Sequence, residues 1–275
     1  MNTSPNFPLF DFHLSYLNKF ILELVVAYNE GEIKSWDDLE KRVESFFTPE
    51  RMNQIESIAP GWKKMASYSG GVTLVHVTCV FLGLFILPEF KSLPFEQGQL
   101  AKWIVLFHDI EKETNKGERD QTHGFRSATR AARTLPGLGF GITREYEGLI
   151  DLWSRLTNSA MIKSGNSAEY IQDNQKLPEI FDGIKKLFGD NTPASLIVKG
   201  VLLHMSIDVV GDWPQAAPLT EEEINKYVDR ILYPLLKVMN LADSEGWSMF
   251  YTEIRRQQRN DTLKAFEKID EIILL

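Results

Sequence analysis

Cysteine is almost missing from this chain of 275 residues: Cys79 stands alone, so no intramolecular disulfide is available. The opening stretch MNTSPNFPLF also lacks the basic and apolar regions of a secretory signal. Together these absences lead us to expect a reducing, cytoplasmic setting. Positive charge is in short supply as well, with 30 Lys and Arg against 38 Asp and Glu and a net charge of −8. Neutralising a phosphate backbone needs clustered cations, so no nucleic-acid polymer is expected as a partner. The sequence has no G-x-x-x-x-G-K-[ST], no H-E-x-x-H, no G-x-S-x-G and no paired C-x-x-C. P-loop, zincin, serine-hydrolase and zinc-finger chemistries fall away with them. The glycines of GLGFG at 137–141 follow no strand and read as a loop.

Long apolar runs are scarce too. The one exception, GVTLVHVTCVFLGLFIL from Gly71 to Leu87, carries no Asp, Glu, Lys or Arg and sits at the short edge of what a bilayer requires. It contains Thr73, His76 and Thr78, stops at Pro88-Glu89 and has no second candidate elsewhere. It is therefore expected to be a helix buried in a protein core, with no membrane involved.

What is present is helical periodicity. Apolar residues recur at three- and four-residue spacings over 11–29, Ser35 with Asp38 opens a helix in the manner of a capping box, and Thr48-Pro49 opens the next. Helices are expected near 71–87, 96–111, from His123, from Thr143 and over 194–210. Thr220 with Glu223 caps a further one, with Pro234 as a kink or break, and a last helix covers roughly 245–273. Strand-like alternation and internal repeats are absent, so the fold class is all-α, a single helical domain over 1–275.

The histidines are the residues that can carry chemistry. Of five, His76 lies in the apolar run, His108 is followed by Asp109 at the end of WIVLFHDIEKE, His123 opens a helix, and His204 precedes Asp208 by one helical turn. His13 stands apart. A single histidine on an apolar helix is more often a buried neutral side chain bonded to a carbonyl. Several of them accompanied by carboxylates form the nitrogen and oxygen donor set that suits a first-row divalent metal.

With His76, His108-Asp109 and Asp208 in this order on helices, the chain resembles the HD superfamily of metal-dependent phosphohydrolases, whose pattern is H…HD…D. FHDIEK is similar to that family's HD-I-G-K variant with Glu111 in place of Gly, and THGFRSATRAARTL resembles its following helix. The resemblance covers about 70–215, with helices over 1–65 and 220–275 expected to pack on that HD-like bundle. It implies an enzyme in which His76, His108, Asp109 and Asp208 hold a divalent ion (Mn, Co, Ni, Fe, Zn or Mg), with Asp243 in NLADSEG as the rival to Asp208. It implies metal-activated water attacking a small phosphate ester, with a nucleotide as the substrate class. Asp109 would orient the water, and Lys112 and Arg126 would meet the phosphate. Lys116, Arg119, Arg126 and Arg130 flank the same region, where one or two would contact substrate and the rest form a solvated charged face. His123 and His204 are candidates for a second metal or for substrate contact. The lack of a further histidine in LWSRLTNSAMI favours one metal over two. Two alternatives remain beside hydrolysis: an HD-fold di-iron oxygenase, which needs His123 and His204 as ligands, and a non-catalytic regulatory or scaffolding module.

Overall fold

The computed structural model describes residues 6–113, 120–163, 170–207 and 218–274, and it is predominantly helical, as the periodicity predicts. The amino-terminal helices are α1 (Phe10–His13), α2 (Ser15–Asn29), α3 (Trp36–Phe46), α4 (Pro49–Ile58) and α5 (Trp62–Ser67). Ser35 Oγ accepts from the Asp38 N–H at 3.2 Å and Thr48 Oγ1 from the Arg51 N–H at 3.3 Å, each satisfying a donor that a first helical turn leaves open.

The next group is α6 (Val72–Ile86), α7 (Pro88–Lys91), α8 (Phe95–Phe107), α9 (His123–Thr134) and α10 (Tyr146–Asn158). The helix expected over 11–29 is broken at Leu14, because α1 turns to seat Asp11 against α8. There the Asp11 carboxylate accepts from Gln99 Nε2 at 2.8 Å and from Lys102 Nζ at 2.6 Å. After α10 comes a hairpin that the sequence reading did not contain, with Met161–Lys163 (β1) pairing antiparallel to Tyr170–Gln172 (β2). With three residues per strand, no period-2 signal can accumulate.

The chain closes with α11 (Leu177–Phe188), α12 (Pro193–Leu203), α13 (Glu221–Tyr227), α14 (Leu232–Ser248) and α15 (Thr252–Leu274). Thr220 and Glu223 form the expected capping box on α13. Of the kink or break expected at Pro234 the structure shows a break, just ahead of it between α13 and α14. Pro234 lies in the first turn of α14, where its missing N–H costs nothing, and Asp229 Oδ1 accepts from the Ile231 and Leu232 N–H groups at 2.9 and 2.8 Å.

The core is centred on α6, which packs along α14 and is covered by α2 and α3, while α12 lies between α8 and α9. The span Trp62–Ile86 is long and apolar enough by length and composition to cross a bilayer, yet 61% of its window is buried inside the protein. A helix apolar on every side suits that position. The α6–α14 approach is close because glycine stands on both sides of it. A Cβ on Gly83 would lie 2.5 Å from Glu245 Cβ, and one on Gly246 would lie 2.5 Å from Val80 Cγ2.

Candidate metal centre

Five elements of this core deliver six side chains to one place. His76 comes from the middle of α6 and Asp243 from α14. His108 and His204 are the first residues beyond α8 and α12, and His123 is the first residue of α9. Asp109 follows His108 in a turn closed by the Lys112 N–H donating to the Asp109 carbonyl at 2.9 Å. The apolar helix therefore ends on a His-Asp pair because that turn carries both side chains into the interior, where His108 and Asp109 are 0% and 1% exposed.

The four imidazoles are oriented by one device. His108 Nδ1 donates to the Val105 carbonyl and His204 Nδ1 to the Val201 carbonyl, both at 2.7 Å, and His123 Nδ1 donates to the Asp120 carbonyl. In each case the acceptor lies three residues earlier. His76 Nδ1 instead crosses to α14, donating to the Gly246 carbonyl at 3.1 Å. A carbonyl can only accept, so each neutral ring carries its proton on Nδ1 and turns an Nε2 lone pair inward. Metal-ligating histidines are held in the same way, with the other ring nitrogen donating to a carbonyl or carboxylate that fixes the ring's orientation.

The inward atoms fall into two groups. His76, His108 and Asp243 form one and Asp109, His123 and His204 the other, with ligand atoms within 4.8 Å of one another in each. Asp109 joins them. Its Oδ1 is 2.8 Å from His123 Nε2 and 3.9 Å from His204 Nε2, while its Oδ2 is 3.4 Å from His76 Nε2 and 3.6 Å from His108 Nε2. Asp243 Oδ1 lies 3.1 Å from His76 Nε2 and 3.9 Å from His108 Nε2.

Two observations test this donor set against a metal. His76 Nε2, His108 Nε2 and Asp243 Oδ1 are buried atoms without a hydrogen bond, an arrangement that costs free energy unless a cation satisfies it. His123 Nε2 and His204 Nε2 also face each other at 2.9 Å, although both rings already hold their proton at Nδ1. Two lone pairs at that distance repel unless a positive charge is shared between them. The residues fit a metal ion on both counts.

The electrostatics agree. For Asp109, burial pushes the carboxyl pKa up, but His108, Lys112 and His123 outweigh it and hold the group well below its ordinary value. Asp243 is likewise lowered, with His76 and His108 overcoming burial. Burial, reinforced by His123 and His108, takes His204 down to about 3, so it stays neutral and able to ligate across the physiological range. His76 moves upward because Asp109 and Asp243 outweigh its burial.

The structure brings His76, His108, Asp109, His123 and His204 together. Asp208 lies outside the described residues, as do Lys116 and Arg119. Among the described residues, the carboxylate grouped with His76 and His108 is that of Asp243, which the sequence offers as the rival to Asp208. The pointer to Asp243 was the run LLKVMNLAD at 235–243, which is buried nearly all round and ends on a carboxylate. Asp109, His123 and His204 form a second group of side chains that could hold an ion, beside the one that contains His76 and His108.

Lys112 is near the centre but engaged, its Nζ 2.7 Å from Asp109 Oδ2. Arg126 pairs with the Asp120 carboxylate and donates to the Glu111 carbonyl at 3.1 Å, which braces the turn that orients His123. Glu111 in turn is paired with Arg130 at 2.5 Å. Among the six candidate ligands, Asp243 has the most exposed side chain, at 24%. One turn beyond it, half-exposed Trp247 stacks on His76 with centroids 4.1 Å apart and lies 5.2 Å from Lys112 Nζ. The centre thus opens towards Asp243, Trp247 and Lys112.

No family model matches the chain, and neither curated proteins nor solved structures match it.

Proposed function

We propose that this chain is a metal-dependent phosphohydrolase with two divalent ions, acting on a small phosphate ester. The observation that carries the reading is the division of Asp109 between two groups of inward-turned ligands, His76, His108 and Asp243 on Oδ2 and His123 and His204 on Oδ1. Divalent ions in such a site lower the pKa of bound water from about 15.7 towards about 7 and offset charge on a phosphoryl group.

The chain's own residues supply the rest. The Nδ1 bonds fix the rings before any ligand arrives, so orientation costs little at the moment of binding. Burial lowers the Lys112 ammonium pKa, but Asp109 and Asp243 more than restore it, so Lys112 remains a cation at the opening. From there it holds the Asp109 carboxylate and offers a point charge to an entering phosphate. Trp247 shields His76 from solvent on the open side.

The test is metal analysis of the purified protein, followed by phosphatase assays with Mn, Co, Ni and Mg supplied separately. Two metal equivalents per chain and metal-dependent release of phosphate are expected, with both reduced in Asp109→Ala. Unchanged hydrolysis by Asp109→Ala would place any activity elsewhere and favour a regulatory module. Participation of His123 and His204 also favours a second reading, a di-iron oxygenase. Iron as the bound metal with substrate-dependent oxygen consumption would select it, whereas turnover with Mn or Mg under anaerobic conditions selects hydrolysis.

A further inference from the structure

Beside the metal centre, and sharing His76 with it, is a pocket of about 280 Å³ between α3, α6 and the end of α14. Trp36, Trp247 and Tyr251 supply three aromatic walls, Val72 and Val75 an aliphatic floor, and Glu40 a carboxylate. The rings are held in place: Trp36 meets Phe250 edge to face at 5.0 Å and Tyr251 at 6.4 Å, and Trp247 is stacked on His76. Glu40 sits one helical turn from Trp36 on α3 and makes no ion pair or hydrogen bond among the described residues.

The chemistry of this lining is selective. No Lys or Arg is among its lining residues, and Lys112, 5.2 Å from the Trp247 ring centroid, serves the opening of the metal centre, so a second phosphate would find no partner within the pocket. No Asn, Gln, Ser or Thr contributes either, and the Gly246 carbonyl is taken by His76, so the polar edge of a heterocycle would find few matching groups. Aromatic faces with one free carboxylate are instead what attracts an organic cation, through the ring quadrupoles and the opposite charge.

Building on the phosphohydrolase reading, we propose that this pocket receives an alkylammonium group carried by the ester whose phosphate lies at the metal centre. The substrate class is then a zwitterionic phosphate ester, anionic at the Lys112 and Asp243 opening and cationic between Trp36, Trp247 and Tyr251. The pocket's volume accommodates a trimethylammonium group, and the shared wall formed by His76 and Trp247 sets the two ends of the ligand side by side.

The test uses the metal-loaded full chain and reads tryptophan fluorescence and titration heat, neither of which needs turnover. The probes are choline, its neutral isostere 3,3-dimethyl-1-butanol, and adenosine. Choline should bind saturably, with the isostere weaker by about 10-fold or more, since each tenfold in affinity corresponds to about 1.4 kcal/mol. Glu40→Gln, an exposed change that leaves the fold alone, should weaken choline by about 10-fold and remove most of its advantage over the isostere. Equal binding of choline and isostere, tighter binding of adenosine, or no binding of choline would each overturn the proposal. Choline binding without phosphatase activity against any ester would retain the pocket and discard the hydrolytic reading. Phosphatase activity with no choline binding would do the reverse.

Discussion

Replacing Gly246 with alanine sets two effects of opposite sign against each other. In an ordinary helix interior the change stabilises by about 1 kcal/mol, because alanine loses less backbone freedom on folding. At Gly246 the new Cβ would stand 2.5 Å from Val80 Cγ2, 2.7 Å from His76 Cε1 and 2.8 Å from His76 Nδ1, so α6 and α14 must separate or the imidazole must turn. Overpacking of this kind costs about 1–3 kcal/mol, and loss of the bond from His76 to the Gly246 carbonyl adds about 1 kcal/mol. The net expectation is destabilisation by about 1–3 kcal/mol, or a fall in Tm of roughly 2–10 °C for a chain of this size. On the proposed two-ion reading the displaced ring is a ligand, and one of two metal equivalents should go with it. The control is Gly148→Ala on α10, where nothing lies within 4 Å of the added Cβ and stability should hold or rise. Thermal unfolding by circular dichroism and metal content per chain measure both quantities. If Gly246→Ala melts at or above the wild-type temperature with its full metal complement, the close approach does not position His76 and the reasoning fails. If it melts lower yet keeps every metal equivalent, His76 is not a ligand.

Asp243→Asn should remove one metal equivalent while Asp208→Asn retains both, as atomic absorption on the two purified variants will show, and the opposite result would return the ligand role to Asp208. Lys112→Ala should keep its metal but lose about 10- to 100-fold in kcat/KM, the loss of one charge-assisted contact of about 1.5–3 kcal/mol; unchanged kinetics would make Lys112 purely a partner of Asp109. The two halves should also respond differently to acid. His76 has its pKa raised by Asp109 and Asp243, so on lowering pH it takes up a proton earlier than an ordinary imidazole and competes with metal early, whereas His204 stays neutral until about pH 3. Metal content followed through pH-stepped dialysis should therefore fall in two stages, and a single-stage loss of both equivalents would contradict the asymmetry.

The all-α class and most helix starts were legible because their causes are local. Ser35, Thr48 and Thr220 announce caps within three residues, and the apolar run of α6 is visible without any tertiary knowledge. His108-Asp109 was legible for the same reason, as a polar pair abruptly ending an apolar segment. Asp243 was legible only as a rival to Asp208, because its place beside His76 depends on α14 lying against α6, and that contact is permitted by Gly83 and Gly246 rather than encoded by any motif. His123 and His204 were named as candidates, but their grouping with Asp109 depends on α9 packing along α12, which brings together residues far apart in sequence. Arg126 was named from its place near the site, but its pairing with Asp120 was not legible, because that carboxylate precedes a turn with no sequence signature of its own.

The histidine anchors also bear on the order in which the centre can assemble. His108, His123 and His204 are each turned by a carbonyl three residues back in their own chain segment, so their orientation can be established as soon as those helix ends form. His76 is turned by Gly246, and its carboxylate neighbour Asp243 lies on the same late helix. During synthesis, the group of Asp109, His123 and His204 can be complete while α14 is still unmade, but the group of His76, His108 and Asp243 cannot. The geometry thus permits assembly in two instalments, in which docking of the carboxy-terminal segment adds the group of His76, His108 and Asp243 to the one already gathered around Asp109.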